Sequence, residues 1–289
     1  MEKAEKFCLS RRVVANVTLE SWRTIPHACI TYNADVGKLL QILKDYNLEK
    51  TKEEKISLNT ALLKIIVEAI KVCPKINSHL HYNSFFISGR SIQKNNIDIS
   101  MPFVLKDRMI TVNLHNLENK SMEEIKDYVN EIRRKADNTI IDEALMSVAV
   151  KDTLNGLKKL KILTALRRLI GTKIGPYRIE RLPLKQRLAY KKIDKSHKLT
   201  AYDLEQGTIT VSNLGSIYKE WDGECTLLEI VPPQVVAIAL SSIKTIDLKN
   251  IMTFTIAFDH RALDFGDIVP FMKQLDAVFE SAQIIKEFI

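Results

Sequence analysis

IMTFTIAFDHRALDFGDIVPFM, residues 251–272, is the stretch on which the reading of the fold turns. An apolar, β-branched and aromatic run reaches Phe258 and breaks at Asp259-His260-Arg261. Asp264 follows His260 by four residues, and DIVPFMKQLDAVFESAQ then repeats apolar residues at helical spacing, which predicts a helix capped by Asp267. Strand, polar turn and helix in that order place one histidine at the end of a buried element. Three readings of His260 stand on these residues: a general base, a metal ligand, or a satisfied polar residue at a strand end. An imidazole titrates near neutrality, as a base requires, and Asp264 is within reach of the same turn to orient it. Metal binding is disfavoured, because no second histidine or cysteine lies nearby at ligand spacing.

Two further strands are expected upstream, in GTITVSNLG (207–215) and PPQVVAIALSSI (232–243). Ser212 sits where the first of them gives way to a turn; it reads either as an oxyanion donor or as ordinary Ser-Asn-x-Gly turn chemistry. Toward the N-terminus, a strand is expected from about His27 to Asn33 after the Ile25-Pro26 break. A helix capped by Asp35 is expected next. SLNTALLKIIVEAIKVCP (57–74) places Leu58, Leu62, Ile65, Ile66, Ala69 and Ile70 on one stripe and stops at Pro74. Short apolar runs between Phe85 and Asn113 predict a meander of strands. Ser121 followed by Glu124 is a capping box that opens SMEEIKDYVNEIRRKADN.

The chain has 289 residues, 46% of them hydrophobic, enough for a large core, which excludes global disorder. Cys8, Cys29, Cys73 and Cys225 are scattered without a CxxC pair. Reduced thiols in the cytoplasm are therefore expected, not a disulfide framework or zinc site. No signal peptide and no membrane-crossing apolar run is recognised. Residues 151–199 hold 15 Lys and Arg against 3 Asp and Glu, so the rest of the chain carries −4 of the total +8. Within that segment LNGLKKLKILTALRRLIG (154–171) reads as a basic amphipathic helix, and 171–206 as an irregular excursion.

TITVSNLG, PPQVVAIA and FTIAFDHRALD, in this order and spacing, resemble the catalytic domain of the dihydrolipoamide acyltransferases of 2-oxo acid dehydrogenase complexes, whose fold is shared with chloramphenicol acetyltransferase. SRRVVANVTLESWRTIPHACITYNADVGKLL and NNIDISMPFVLKDRMITVNLHNLENKSMEEI are similar to that domain's opening and centre. The resemblance covers about residues 10–136 and 205–285 and implies one α/β catalytic domain over 1–289. Its architecture would be a chloramphenicol acetyltransferase-like mixed-sheet sandwich with helices and an active site at the interface of a trimer. It further implies acyl transfer between coenzyme A and a thiol acceptor, with coenzyme A as a substrate and no metal. In these terms His260 is the base, Ser212 the oxyanion donor and Asp264 the residue that holds the site; Asn213, Gly215, Arg261 and Phe265 are candidates for substrate binding.

The sequence departs from the family pattern at three places. Phe265 stands where the family has glycine directly after the motif's aspartate, which implies either a wider turn or a ring filling part of the acyl or pantetheine pocket. A basic insertion occupies about 138–206. The catalytic domain begins within about ten residues of Met1, so a lipoyl or other acyl carrier is expected on a separate protein and no lipoyl group on this chain. The insertion reads as a solvated helix and loop, a dock for an acidic carrier, an attractor of coenzyme A phosphates or a peripheral membrane contact; nucleic acid is not expected. QIIKEFI at the end reads either as a frayed tail or as a dock for larger assembly of trimers. A non-catalytic scaffold or carrier-docking member of the same family is the alternative function, and thioester hydrolysis a third.

Overall fold

The computed structural model describes residues 6–105, 108–158, 178–179, 182–217 and 222–288. In chain order the elements are α1 (Leu9–Thr24), β1 (His27–Asp35), α2 (Gly37–Tyr46), α3 (Leu58–Val72), β2 (Ser78–Asn83), β3 (Ser88–Gln93), β4 (Ile99–Leu105) and β5 (Arg108–Leu114). There follow α4 (Met122–Asp137), α5 (Ile141–Lys158), α6 (Leu184–Lys192), β6 (Ile209–Asn213), the single-turn α7 (Leu214–Ile217), β7 (Val236–Ile246), β8 (Lys249–Asp259), α8 (Phe265–Glu280) and α9 (Ala282–Phe288).

Six strands form one mixed sheet in the order β1-β8-β7-β6-β4-β5, with β6 parallel to both β4 and β7 and every other pair antiparallel. This is the expected α/β class. Strand parity divides the sheet into two unequal faces. Val236, Ile238, Leu240, Phe254, Ile256 and Phe258 belong to the main core, to which the helices contribute Leu62, Ile66, Ile70, Phe271 and Leu275. Ala237 and Ala257 point the other way into a small satellite cluster with Ile25, Ile230, Cys29 and Leu227. Phe254, Phe258 and Phe271 are fully buried; each such ring contributes about 1.5–3 kcal/mol of transfer free energy.

The helices with strong sequence signals form where expected. Ser57 caps α3, its hydroxyl accepting from Thr60 N at 3.1 Å, and the helix is buried over most of its length against α4 and α8. At α4, Ser121 Oγ accepts from Glu124 N at 3.1 Å while the Glu124 carboxylate accepts from Ser121 N at 2.7 Å. Asp35 closes β1 and is not the cap of α2; its carboxylate nonetheless accepts from Gly37 N at 3.0 Å. The cap of α8 lies three residues before the expected one: Asp264 is the N-cap, and Asp267 serves from inside the helix, accepting from Asp264 N at 3.0 Å.

Two segments differ from expectation. α1 was not foreseen. The excursion 171–206 contains a nine-residue helix, α6, whose Leu184 and Leu188 are four residues apart but exposed. The basic helix expected over 154–171 overlaps α5 as far as Lys158 and otherwise lies outside the described residues. The end of the chain is a helix seated on its own subunit: Ile285 is buried, and α9 packs on α2. The β7–β8 turn projects as a tight hairpin in which Asp247 and Leu248 both have left-handed backbone, φ 48° and 65°, with Leu248 almost fully exposed.

Candidate active site

His260 begins the turn between β8 and α8, where three local constraints meet. Its backbone N–H donates to Pro26 O at 3.1 Å, tying the turn to the start of β1. The preceding Asp259 is wholly buried and ion-paired to Arg261, with 2.6 Å between Oδ2 and Nη2. On the other flank Asp264 Oδ1 lies 3.4 Å from His260 Nδ1. The imidazole is 43% exposed, so substrate can reach it, whereas the Asp264 carboxylate is 83% exposed and open to water. Phe265, the first residue of α8, stands edge-on to the imidazole with centroids 5.7 Å apart and edge-on to Phe258 at 5.1 Å. Half of Phe265 is exposed, so the ring walls the histidine on one side without closing it off. Asp264 caps the helix directly, and a Cβ at Gly266 would meet nothing within 4 Å.

Ser212 is the fourth residue of β6, opposite Ala239 on β7, which is opposite Thr255 on β8, which is opposite Thr31 on β1. Paired residues share a face, so Ser212 belongs to the row of small side chains turned away from the main core. Asn213, one residue on, is buried; its Nδ2 donates to Asn59 Oδ1 at 3.1 Å and its Oδ1 accepts from Ser216 N at 3.1 Å. Its amide thus builds the strand-to-helix corner. Gly215 is needed there sterically, since a Cβ would approach Ser241 O and Ser242 Cα to 3.1 Å each.

The strand register sets how far Ser212 is from His260 within one chain. Thr255 is level with Ser212, and His260 lies five residues beyond Thr255 and two strands across. At about 3.4 Å per residue and about 4.8 Å per strand, the two are about 19 Å apart. The register therefore separates the predicted residues into two groups: His260, Arg261, Asp264 and Phe265 just past the end of β8, and Ser212, Asn213 and Gly215 at the end of β6, level with the middle of β8.

Sequence reasoning missed Asp259 and Tyr82. The Arg261 guanidinium lies over the Tyr82 ring, 5.4 Å from its centroid, which brings the β2–β3 hairpin to the histidine end. The hairpin is anchored there by Leu80 N donating to Pro233 O at 2.8 Å and by the His79–Gln234 bridge. Burial, with Lys94 nearby, lowers the pKa of His79 to about 4, so this imidazole is neutral at pH 7. The signal for Asp259 was in plain view: an acidic residue ending an apolar strand, with arginine two residues later. No cluster of three or more His, Cys, Asp or Glu suited to a metal ion occurs among the described residues.

Comparison with known proteins bears on the family and the fold. The family model of the 2-oxoacid dehydrogenases acyltransferase (catalytic domain) matches residues 1–148 and 185–285. The dihydrolipoyllysine-residue acetyltransferase component of the pyruvate dehydrogenase complex is 27% identical over 136 residues in Rickettsia felis. The mitochondrial component of Saccharomyces cerevisiae is 20% identical over 284 residues. These matches cover 46% and 94% of this chain, and the chain spans only 32% and 45% of the two relatives. Among solved structures, a probable dihydrolipoamide acetyltransferase from Listeria monocytogenes superposes with a TM-score of 0.66 at 20% identity, covering 100% of this chain and 97% of that one. The dihydrolipoamide acetyltransferase of Azotobacter vinelandii gives 0.67 at 16%, covering 99% and 94%. The chain belongs to the 2-oxoacid dehydrogenase acyltransferase family, whose catalytic-domain fold it adopts.

Proposed function

We propose that the protein is an acyltransferase that moves an acyl group between coenzyme A and a thiol acceptor of the dihydrolipoyl type. The observation that carries the reading is the turn at His260: an accessible imidazole with Nδ1 facing Asp264 at 3.4 Å. An Nδ1–H directed at that carboxylate leaves the Nε2 lone pair for the substrate thiol, whose pKa of about 8.5 calls for a base at neutral pH. The proton passes from sulfur to Nε2 and the thiolate adds to the acyl carbonyl. The resulting oxyanion accepts a hydrogen bond from the Ser212 hydroxyl. Collapse breaks the original C–S bond, and the departing thiolate takes the proton back from Nε2. No step needs a metal or redox group.

Two copies are required for such a site. About 19 Å between Ser212 and His260 in one chain far exceeds hydrogen-bond reach, so the serine belongs to a neighbouring subunit, and we assign a trimer closed by head-to-tail contacts. Support comes from a family relative, the cubic core of a pyruvate dehydrogenase multienzyme complex, which superposes with a TM-score of 0.66. The Azotobacter protein has been studied through the role of a serine, a histidine and an asparagine in its catalysis; its histidine and asparagine are four residues apart, the spacing of His260 and Asp264. The free thiols of Cys8, Cys29, Cys73 and Cys225 fit a reducing compartment such as the cytoplasm. The test is acyl exchange between acetyl-coenzyme A and dihydrolipoamide. His260→Ala lowers the rate by about 10²–10⁴; an unchanged rate sinks the reading.

A further inference from the structure

We propose that Asp259 and Arg261 are the positioning residues of His260, holding its turn more firmly than Asp264 does; this rests on His260 being the base. Asp259 has no exposed surface. Its carboxylate accepts three hydrogen bonds, all from Arg261: the backbone N–H at 3.0 Å and Nε at 2.9 Å to Oδ1, and Nη2 at 2.6 Å to Oδ2. A bidentate arginine on a buried carboxylate is both strong and directional. Because the partners flank His260 at one residue on either side, the pair closes a ring around its backbone. The main chain of Asp259 is fixed as well, its N–H donating to Val235 O at 2.9 Å and its carbonyl accepting from Ala262 N at 2.9 Å and Leu263 N at 3.1 Å.

Asp264 offers much less. At 3.4 Å from Nδ1 and 83% exposed, its carboxylate competes with water for the imidazole, and exposed pairs of this kind contribute little. Arg261 also reaches outward, over the Tyr82 ring, so one guanidinium joins the histidine turn, the end of β8 and the β2–β3 hairpin. The arginine is thus engaged on its buried side by Asp259 and on its outer side by an aromatic face. This accounts for a residue that sequence reasoning had placed among the substrate contacts.

The experiment measures acetyl exchange with dihydrolipoamide for wild type, Asp259→Asn, Arg261→Gln, Arg261→Lys and the double variant Asp259→Asn/Arg261→Gln, with assembly followed by sedimentation. A displaced imidazole lowers kcat with little change in acetyl-coenzyme A KM: we expect a loss of about tenfold to a hundredfold in either single variant and less than about twofold in KM. The double variant falls no further than the worse single, and Arg261→Lys recovers part of kcat by keeping the charge. If a single variant fails to assemble, the double variant, which buries no unpaired charge, decides. Assembled variants with unchanged kcat, or with raised KM at unchanged kcat, overturn the proposal. His260→Ala separates the two levels. Its rate lost while the double variant keeps full kcat refutes the positioning role alone, and its rate retained refutes the base itself.

Discussion

A mixture of two inactive variants tests the split site directly. His260→Ala removes the proposed base and is expected to cost about 10²–10⁴ in rate; Ser212→Ala removes the proposed oxyanion donor and is expected to cost about 10²–10³. Each alone therefore retains about 1% or less of wild-type activity. If the two residues met within one chain, co-expression would give no more than the average of these remnants. They lie about 19 Å apart, a distance fixed by the register Ser212↔Ala239↔Thr255 and by five residues of β8 and its turn. In a head-to-tail ring assembled at random from equal amounts, a site is intact when its histidine comes from a Ser212→Ala subunit and its serine from a His260→Ala subunit, a chance of about one in four whatever the ring size. The co-expressed mixture should thus reach about 25% of wild-type kcat at saturating acetyl-coenzyme A and dihydrolipoamide, at least about 20-fold above either parent. A mixture no faster than its better parent, with mixed assembly confirmed by differently tagged subunits, refutes the argument.

Phe265→Gly removes the ring edge-on to His260, and the ratio of kcat/KM for a longer acyl thioester over acetyl should rise about tenfold or more; an unchanged ratio takes Phe265 out of specificity. Ser121→Ala breaks the α4 capping box and should lower unfolding free energy by about 1 kcal/mol in urea titrations, with acyl transfer unaffected. His115 supplies a pH dependence. Burial alone would lower its pKa, but the Asp98 carboxylate 3.4 Å from Nδ1 and the Tyr202 carbonyl 2.9 Å from Nε2 outweigh burial and raise it. Asp98 is lowered: its burial opposes this, and the His115 contact with the Asn116 N–H bond prevails. The pair's contribution is therefore full between about pH 4 and 6.5 and is lost as pH rises through the raised His115 value. His115→Asn should flatten the difference between urea midpoints at pH 6 and pH 9.

Local signals that coincide with burial were legible in the sequence: the stripe of α3, the reciprocal cap of α4, and the strand, turn and helix around His260. α1 was missed because Val13, Val14, Leu19 and Trp22 leave no inward stripe, all four being 40–56% exposed. α6 was missed for the same reason. The cap of α8 was displaced from Asp267 to Asp264 because the two aspartates bond each other reciprocally, and sequence alone cannot rank them. Asp259 looked like an ordinary turn residue because the three Arg261 N–H donors that justify burying its carboxylate converge on it only in the folded turn. Least legible was the distance between Ser212 and His260. The 47 residues between them say nothing of strand order, and only the order β8-β7-β6 in the sheet, with its register, reveals how far apart they lie.

The β7–β8 turn offers a route to a sturdier protein. Asp247 and Leu248 both adopt left-handed backbone, a conformation that costs an L-residue with a Cβ about 1–2 kcal/mol and that two-residue hairpins usually assign to Asn-Gly. Leu248 adds an apolar side chain spread in solvent. Asp247→Asn with Leu248→Gly satisfies the turn geometry at both positions, ten or more residues along β8 from His260. The hairpin tip is accordingly the place to add stability for engineering while leaving the chemistry untouched.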